Sequence, residues 1–242
     1  PDSELVYDCM DHHEGFGNTA DAVLQLERAL MRNADLTITT SAWLDQIVAE
    51  HAPHRALVRN AGEFAHFSQQ PATLYAEPQG RRVIGYYGAI AEWFDLDLVE
   101  AIARRFSDCC VLLIGDDTVN AKGRFAHLPN VVMTGEVPYA QLPKYLHAFD
   151  VCLLPFKVIP LTLATNPVKV YEYLSAGKPV VSVDLPEMKQ FENLVSVASD
   201  TDGFLAAIAG VLADGENPAA IAQRQAFARE QTWTHRARAL IS

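Results

Sequence analysis

The strongest constraint on this chain is an alternation: short apolar runs bounded by turn residues, each followed by a longer stretch with helical spacing. Near-continuous apolar runs suit strands of a parallel sheet buried on both faces, and parallel neighbours need a helix-length crossover between them. Strands are predicted at 5–9, 36–39, 56–58, 83–87, 111–114, 131–134, 151–154, 179–183 and 195–198, and helices at 20–32, 42–50, 96–106, 139–148, 168–175 and 203–213. That pattern predicts an α/β fold with doubly wound parallel sheets. Half of the 242 residues are hydrophobic and a fifth are charged, enough apolar content to fill such cores. The length suits one and a half to two domains of roughly 100 to 200 residues.

One segment breaks the rhythm. Residues 68–80, SQQPATLYAEPQG, carry two prolines and no period, and read as an interdomain linker. Three strands precede it and six follow. Residues 1–67 are therefore expected to be the C-terminal part of a Rossmann-like domain that lacks its beginning, 81–217 a second Rossmann-like domain, and 218–242 a terminal helix containing Phe227, Trp233, His235, Arg236 and Arg238. The chain opens on Pro1 rather than Met, which fits an N-terminal truncation.

A net charge of −11 with acids spread along the chain disfavours a nucleic-acid partner. No apolar run approaches the roughly 20 residues that cross a bilayer, and no leader opens the chain, so a cytoplasmic location is expected. Cys9, Cys109, Cys110 and Cys152 have no metal or redox spacing and read as buried, reduced thiols.

The densest stretch is TNPVKVYEYLSAGKPVVSVDLPE, 165–187. Thr165 or Asn166 can cap a helix with Pro167 in its first turn. Lys169 and Glu172 then fall three apart on one face near that N-terminus. A helix start with free N–H groups and a lysine suits a diphosphate, and a carboxylate one turn on can accept both hydroxyls of a ribose. The residues alone favour a solvated surface pair, the commoner fate of such spacing.

Three other stretches matter. VIGYYGAIAEWF, 83–94, runs a strand through Gly85 and Gly88, where a backbone can approach a ligand closely or simply make a tight turn. In NVVMTGEVPYAQL, 130–142, Gly135, Glu136 and Val137 fall at the carboxyl edge of the sheet, where open α/β sheets bind ligands. VYDCMDHHEGFGN, 6–18, gathers Asp8, Asp11, His12, His13 and Glu14 at a strand end. Adjacent histidines chelate one ion poorly, so no metal site is expected; Asp11 and His12 are candidates for a general base or a sugar contact.

Together these stretches resemble glycosyltransferases of the GT-B fold, similar to family 4 (group 1) and related bacterial polysaccharide enzymes. The match rests on P-V-K-V-Y-E-Y-L-S-A-G-K-P-V, G-E-V-P, the LLPF strand end, RNAGEFAHF at 59–67 and the terminal W-T-H-R. The resemblance implies two Rossmann-like domains facing each other across a cleft, the first of them incomplete here. It also implies transfer of a sugar from a nucleotide diphosphate donor to a glycan or lipid-linked acceptor, in polysaccharide or cell-envelope glycan synthesis, with no cofactor. Glu172 would bind the ribose and Lys169 the diphosphate, with Gly88, Gly135, Glu136, Val137, Thr165 and Asn166 completing the donor site. Asp11 and His12 would lie across the cleft. Peripheral membrane association would come through the part preceding Pro1. The chain departs from the family at Ala164, where many members carry a second glutamate touching the sugar, and at Glu92, Trp93 and Phe94, where an Arg and a Lys are usual. Those departures keep a non-catalytic partner subunit as an alternative, with a sugar-nucleotide 2-epimerase behind it.

Overall fold

The computed structural model describes residues 4–215 and 217–241. Nine strands form there: β1 Val6–Cys9, β2 Leu36–Thr39, β3 Arg55–Leu57, β4 Val83–Tyr87, β5 Cys110–Ile114, β6 Val131–Met133, β7 Val151–Leu154, β8 Val180–Val183 and β9 Val195–Ala198. Every apolar run became a strand, within one residue at each end. The helices are α1 Asp21–Asn33, α2 Ala42–Val48, α3 Phe64–Ser68, α4 Leu96–Arg105, α5 Ala121–Arg124, α6 Leu142–Leu146, α7 Pro160–Leu163, α8 Val168–Ser175, α9 Thr201–Asp214, α10 Pro218–Glu230 and α11 Trp233–Ile241.

All strand pairs are parallel. A three-stranded sheet has the order β1-β2-β3, and a six-stranded sheet has the order β6-β5-β4-β7-β8-β9. In the larger unit β4, β5, β7 and β8 are buried at every residue, because helices cover both faces. That is why these strands read as unbroken apolar runs rather than as alternations. Tyr86, Phe94, Phe149, Tyr173 and Phe191 are fully buried there, each contributing about 1.5–3 kcal/mol on removal from water. The smaller unit has its own cluster of Cys9, Met31, Leu44, Val48 and Ala52, joined by Ala164 from the other unit. All four cysteines are buried and unpaired.

The departures from expectation are local. The predicted helix 139–148 is a 3-10 turn, Tyr139–Gln141, running into α6; Pro143 lacks the N–H a longer helix would need there. The single terminal helix is broken into α10 and α11. Gln231 leaves the helical region, and its carbonyl accepts the Gly62 N–H at 3.0 Å instead of continuing the helix. The break returns the chain to the smaller unit, where Arg236 donates to the carbonyls of Arg59 at 2.9 Å and Asn60 at 3.3 Å. Short α3, α5 and α7 carry too few residues for a period to show. No helix among the described residues is long and apolar enough to cross a membrane.

Candidate functional site

In the six-stranded sheet the strand order reverses between β4 and β7, so the loops leaving their carboxyl ends diverge and open a crevice. Three glycine loops line one side of it. The Gly88 N–H donates to the Ile114 carbonyl at 2.8 Å, and the Gly115 N–H donates to the Gly135 carbonyl at 2.9 Å. A Cβ on Gly115, whose φ is +146°, would stand 2.0 Å from the Gly88 oxygen. Gly88, Gly115 and Gly135 therefore form a ledge of bare backbone after β4, β5 and β6. Glu136 is exposed beside it, and Val137 packs part-way into the core.

Lys169, in the first turn of α8, lies against this ledge. A Cβ on Gly88 would meet Lys169 Cε at 2.0 Å and Nζ at 2.6 Å, so the approach requires glycine. Lys169 Nζ stands 5.8 Å over the Tyr86 ring. Among the described residues no carboxylate reaches it as an ion pair. Burial pushes its pKa below the usual lysine range, with Glu172 opposing. A half-buried ammonium without a counter-ion, next to helix N–H groups that no side chain caps, is electrostatically prepared for an anion.

Glu172, one turn further along α8, is 7% exposed. Its Oε2 accepts the Tyr87 hydroxyl at 2.8 Å. Burial raises its pKa, while that hydrogen bond and Lys169 hold it down. The solvated Lys169–Glu172 pair that the spacing left open is thus not what forms: each side chain turns toward β4, one to Tyr86 and the other to Tyr87.

The expected helix cap is corrected. The N-cap of α8 is Pro167 itself, and no side chain caps the helix. The Thr165 hydroxyl donates to the Leu161 carbonyl at 2.9 Å. Asn166 is 1% exposed, with Oδ1 accepting from the Asn60 N–H and the Tyr171 hydroxyl, and Nδ2 donating to Glu187. The amide oxygen is filled by two donors and one amide N–H is spent on Glu187, so this side chain serves first to join elements of the protein.

Asp11 and His12 follow β1, at the mouth of a groove between α1 and α2 that His13, Glu27 and His51 also line. Burial raises the Asp11 carboxyl, with His13 opposing. His12 Nδ1 is buried without a hydrogen-bond partner. His13 Nδ1 and the Tyr7 hydroxyl share Glu27 Oε1, at 2.6 and 2.7 Å. The following turn touches the larger unit, with the Phe16 ring edge-on to Trp93 at 6.4 Å. Among the described residues no hydrogen bond joins Asp11 or His12 to Lys169 or Glu172. Tyr87 and Glu187 escaped the sequence reading, since nothing in an apolar run marks which hydroxyl will find a carboxylate.

The family model described as glycosyl transferases group 1 matches residues 81–223. TuaH of Bacillus subtilis strain 168, whose name assigns it to teichuronic acid biosynthesis as a glycosyltransferase, is 26% identical over 95% of this chain. The chain spans only 64% of the length of TuaH. Among solved structures, sucrose-phosphate synthase from Thermosynechococcus elongatus superposes with a TM-score of 0.76 at 17% identity, over 97% of this chain and 65% of that one. Anabaena HepE in complex with UDP and glucose gives 0.73 at 16% identity, over 98% and 70%. At these identities the likeness establishes the fold: α/β, with parallel sheets in the GT-B arrangement.

Proposed function

The chain belongs to the group 1 glycosyl transferases, and from that premise we propose that it binds a nucleoside diphosphate sugar at the carboxyl edge of the six-stranded sheet and passes the sugar to a hydroxyl of a glycan or lipid-linked acceptor. The observation that carries this is Lys169, without a counter-ion, held against Gly88 one turn before a buried Glu172. In this reading the diphosphate takes the place of the missing counter-ion, bound by Lys169 and the open N-terminus of α8. Glu172, steadied by Tyr87 through Oε2, offers its other oxygen to the ribose hydroxyls. The ledge at Gly115 and Gly135, with Glu136 and Val137 beside it, receives the base.

As the glycosidic bond breaks, negative charge grows on the departing diphosphate. Lys169 and the helix dipole are already oriented toward it, so they stabilise that charge without reorganising. Asp11 or His12 serves the acceptor side as base or sugar contact. Ala164 is buried in the smaller unit's apolar cluster and supplies no charge to the transferred sugar. The uncharged contact at Ala164 also keeps in play a partner subunit that binds nucleotide without turnover. The HepE complex makes UDP the first nucleotide to try, and the TuaH likeness favours a role in polysaccharide synthesis, on the cytoplasmic side where lipid-linked acceptors can be met.

The test is calorimetric titration with UDP, GDP, ADP and dTDP, repeated on Glu172→Ala. One nucleotide should bind selectively, and the substitution should weaken it by about 1–3 kcal/mol, the worth of a charge-assisted hydrogen bond. A folded chain that binds none of the four counts against the reading. Residues 1–242 are expected to bind the donor without efficient transfer, so selective binding favours the partner subunit only where a protein extended to the length of TuaH also transfers no sugar.

A further inference from the structure

Glu187 lies just past β8 and is 2% exposed. Its Oε1 accepts the backbone N–H of Ala42 at 2.8 Å, at the start of α2 in the smaller unit. Its Oε2 accepts Arg59 Nε at 2.7 Å, Asn166 Nδ2 at 2.8 Å and Gln190 Nε2 at 2.9 Å. Two of the four donors come from each unit. Around this joint the Ser41 hydroxyl donates to the Ala164 carbonyl at 2.5 Å. Asn60 clamps Asn166 twice, from its N–H to Oδ1 at 3.1 Å and from Nδ2 to the carbonyl at 2.7 Å.

We propose that Glu187 is a positioning residue that fixes the angle between the two units. An apolar contact tolerates sliding, because its energy follows area. A buried carboxylate held in place by Asn166 and Gln190 of its own unit, and facing two directional donors from the other, has one docking geometry in which both of those are satisfied. The helix N-terminus of α2 and the Arg59 guanidinium both favour its charge. Parting the units strips Glu187 of both cationic and dipolar partners at once, so the joint prefers the closed arrangement.

The joint stands on geometry alone; its effect on transfer rests on the proposed function. Spin labels on Leu26→Cys in α1 and Ala206→Cys in α9, both exposed positions, would report the separation of the units, since the native cysteines are buried. The parent chain should give one narrow distance. Glu187→Gln puts an amide where four donors converge, and should broaden that distance toward longer separations. It should also lower kcat for sugar transfer at least ten-fold while the nucleotide Kd moves less than three-fold. Arg59→Gln, at a half-exposed side chain, should do the same and carries the test if the first variant fails to fold. An unchanged narrow distance in a folded variant would overturn the proposal, as would a nucleotide affinity that falls in step with kcat. If the parent binds no nucleotide, the functional reading fails alone, and the distance still decides the joint.

Discussion

Replacing Tyr87 with Phe removes one oxygen and leaves the ring in place. The ring's contacts, stacked with Phe67 at 6.3 Å and edge-on to Tyr173 at 5.0 Å, remain, so packing is conserved and the change isolates the hydrogen bond to Glu172. A hydrogen bond to a charged group is worth about 1.5–3 kcal/mol. For a chain of this length each kcal/mol moves the thermal midpoint by roughly 2–4 °C, giving a drop of about 3–12 °C near pH 8. The dependence on pH has a definite sign. Burial raises the Glu172 pKa in the fold, so the group favours the fold below its unfolded pKa and loses that contribution as pH rises through the folded value. The penalty of Tyr87→Phe should therefore shrink on acidification, because a protonated Glu172 no longer needs the donor. With the hydroxyl gone the Glu172 pKa climbs further, and binding of a nucleotide sugar, followed by calorimetry across pH, should begin to fail at a higher pH than in the parent. A midpoint within 1 °C of the parent, or an unshifted pH profile, would refute the assignment of that hydroxyl as the carboxylate's support.

Lys169→Met should weaken a nucleoside diphosphate by about 1.5–3 kcal/mol in the same titration and leave the bare nucleoside unaffected; its thermal midpoint should hold or rise, since the cation has no counter-ion to lose. Gly115→Ala places a Cβ 2.0 Å from a backbone oxygen at a φ of +146°, and should cost at least about 2–3 kcal/mol in denaturant unfolding. Sugar transfer should persist in excess chelator, because Lys169 and a helix N-terminus meet the diphosphate charge; strict loss of turnover would contradict that role.

The strands were legible because a sheet covered on both faces leaves one unambiguous trace, an apolar run closed by turn residues. The same simplicity hid the site's supports. Tyr86 and Tyr87 are both aromatic members of one run, and the sequence does not say that the first would lie under a lysine and the second would hold a carboxylate. Lys169 and Glu172 were legible as a pair by spacing, yet what they do follows from β4, some eighty residues earlier. Asn166 was misread because Asn before a helix is a good cap; here Asn60 and Glu187 compete for it and prevail, contacts that only the meeting of two units can supply. Glu187 itself had no local signal, being one acid in an irregular segment. The break in the terminal helix had one faint signal, Thr232, a residue type that favours a helix start and whose hydroxyl here accepts the His235 N–H at 3.4 Å; the pull on Gln231 comes from Gly62, far away in sequence.

Ala164 fills a place among Cys9, Met31, Leu44 and Val48, so the smaller unit borrows part of its interior from the larger. It follows that the linker is not a seam along which the molecule can be divided. A chain severed between residues 68 and 80 would leave a hollow in the smaller piece and strand Ala164 in water on the other. Grafting this half onto a different relative to redirect acceptor choice would succeed best where the recipient offers a small apolar residue at the same place. Recombination between such enzymes therefore carries a packing cost, about 1 kcal/mol for one buried methyl, that is lowest where the partners share this side chain's size.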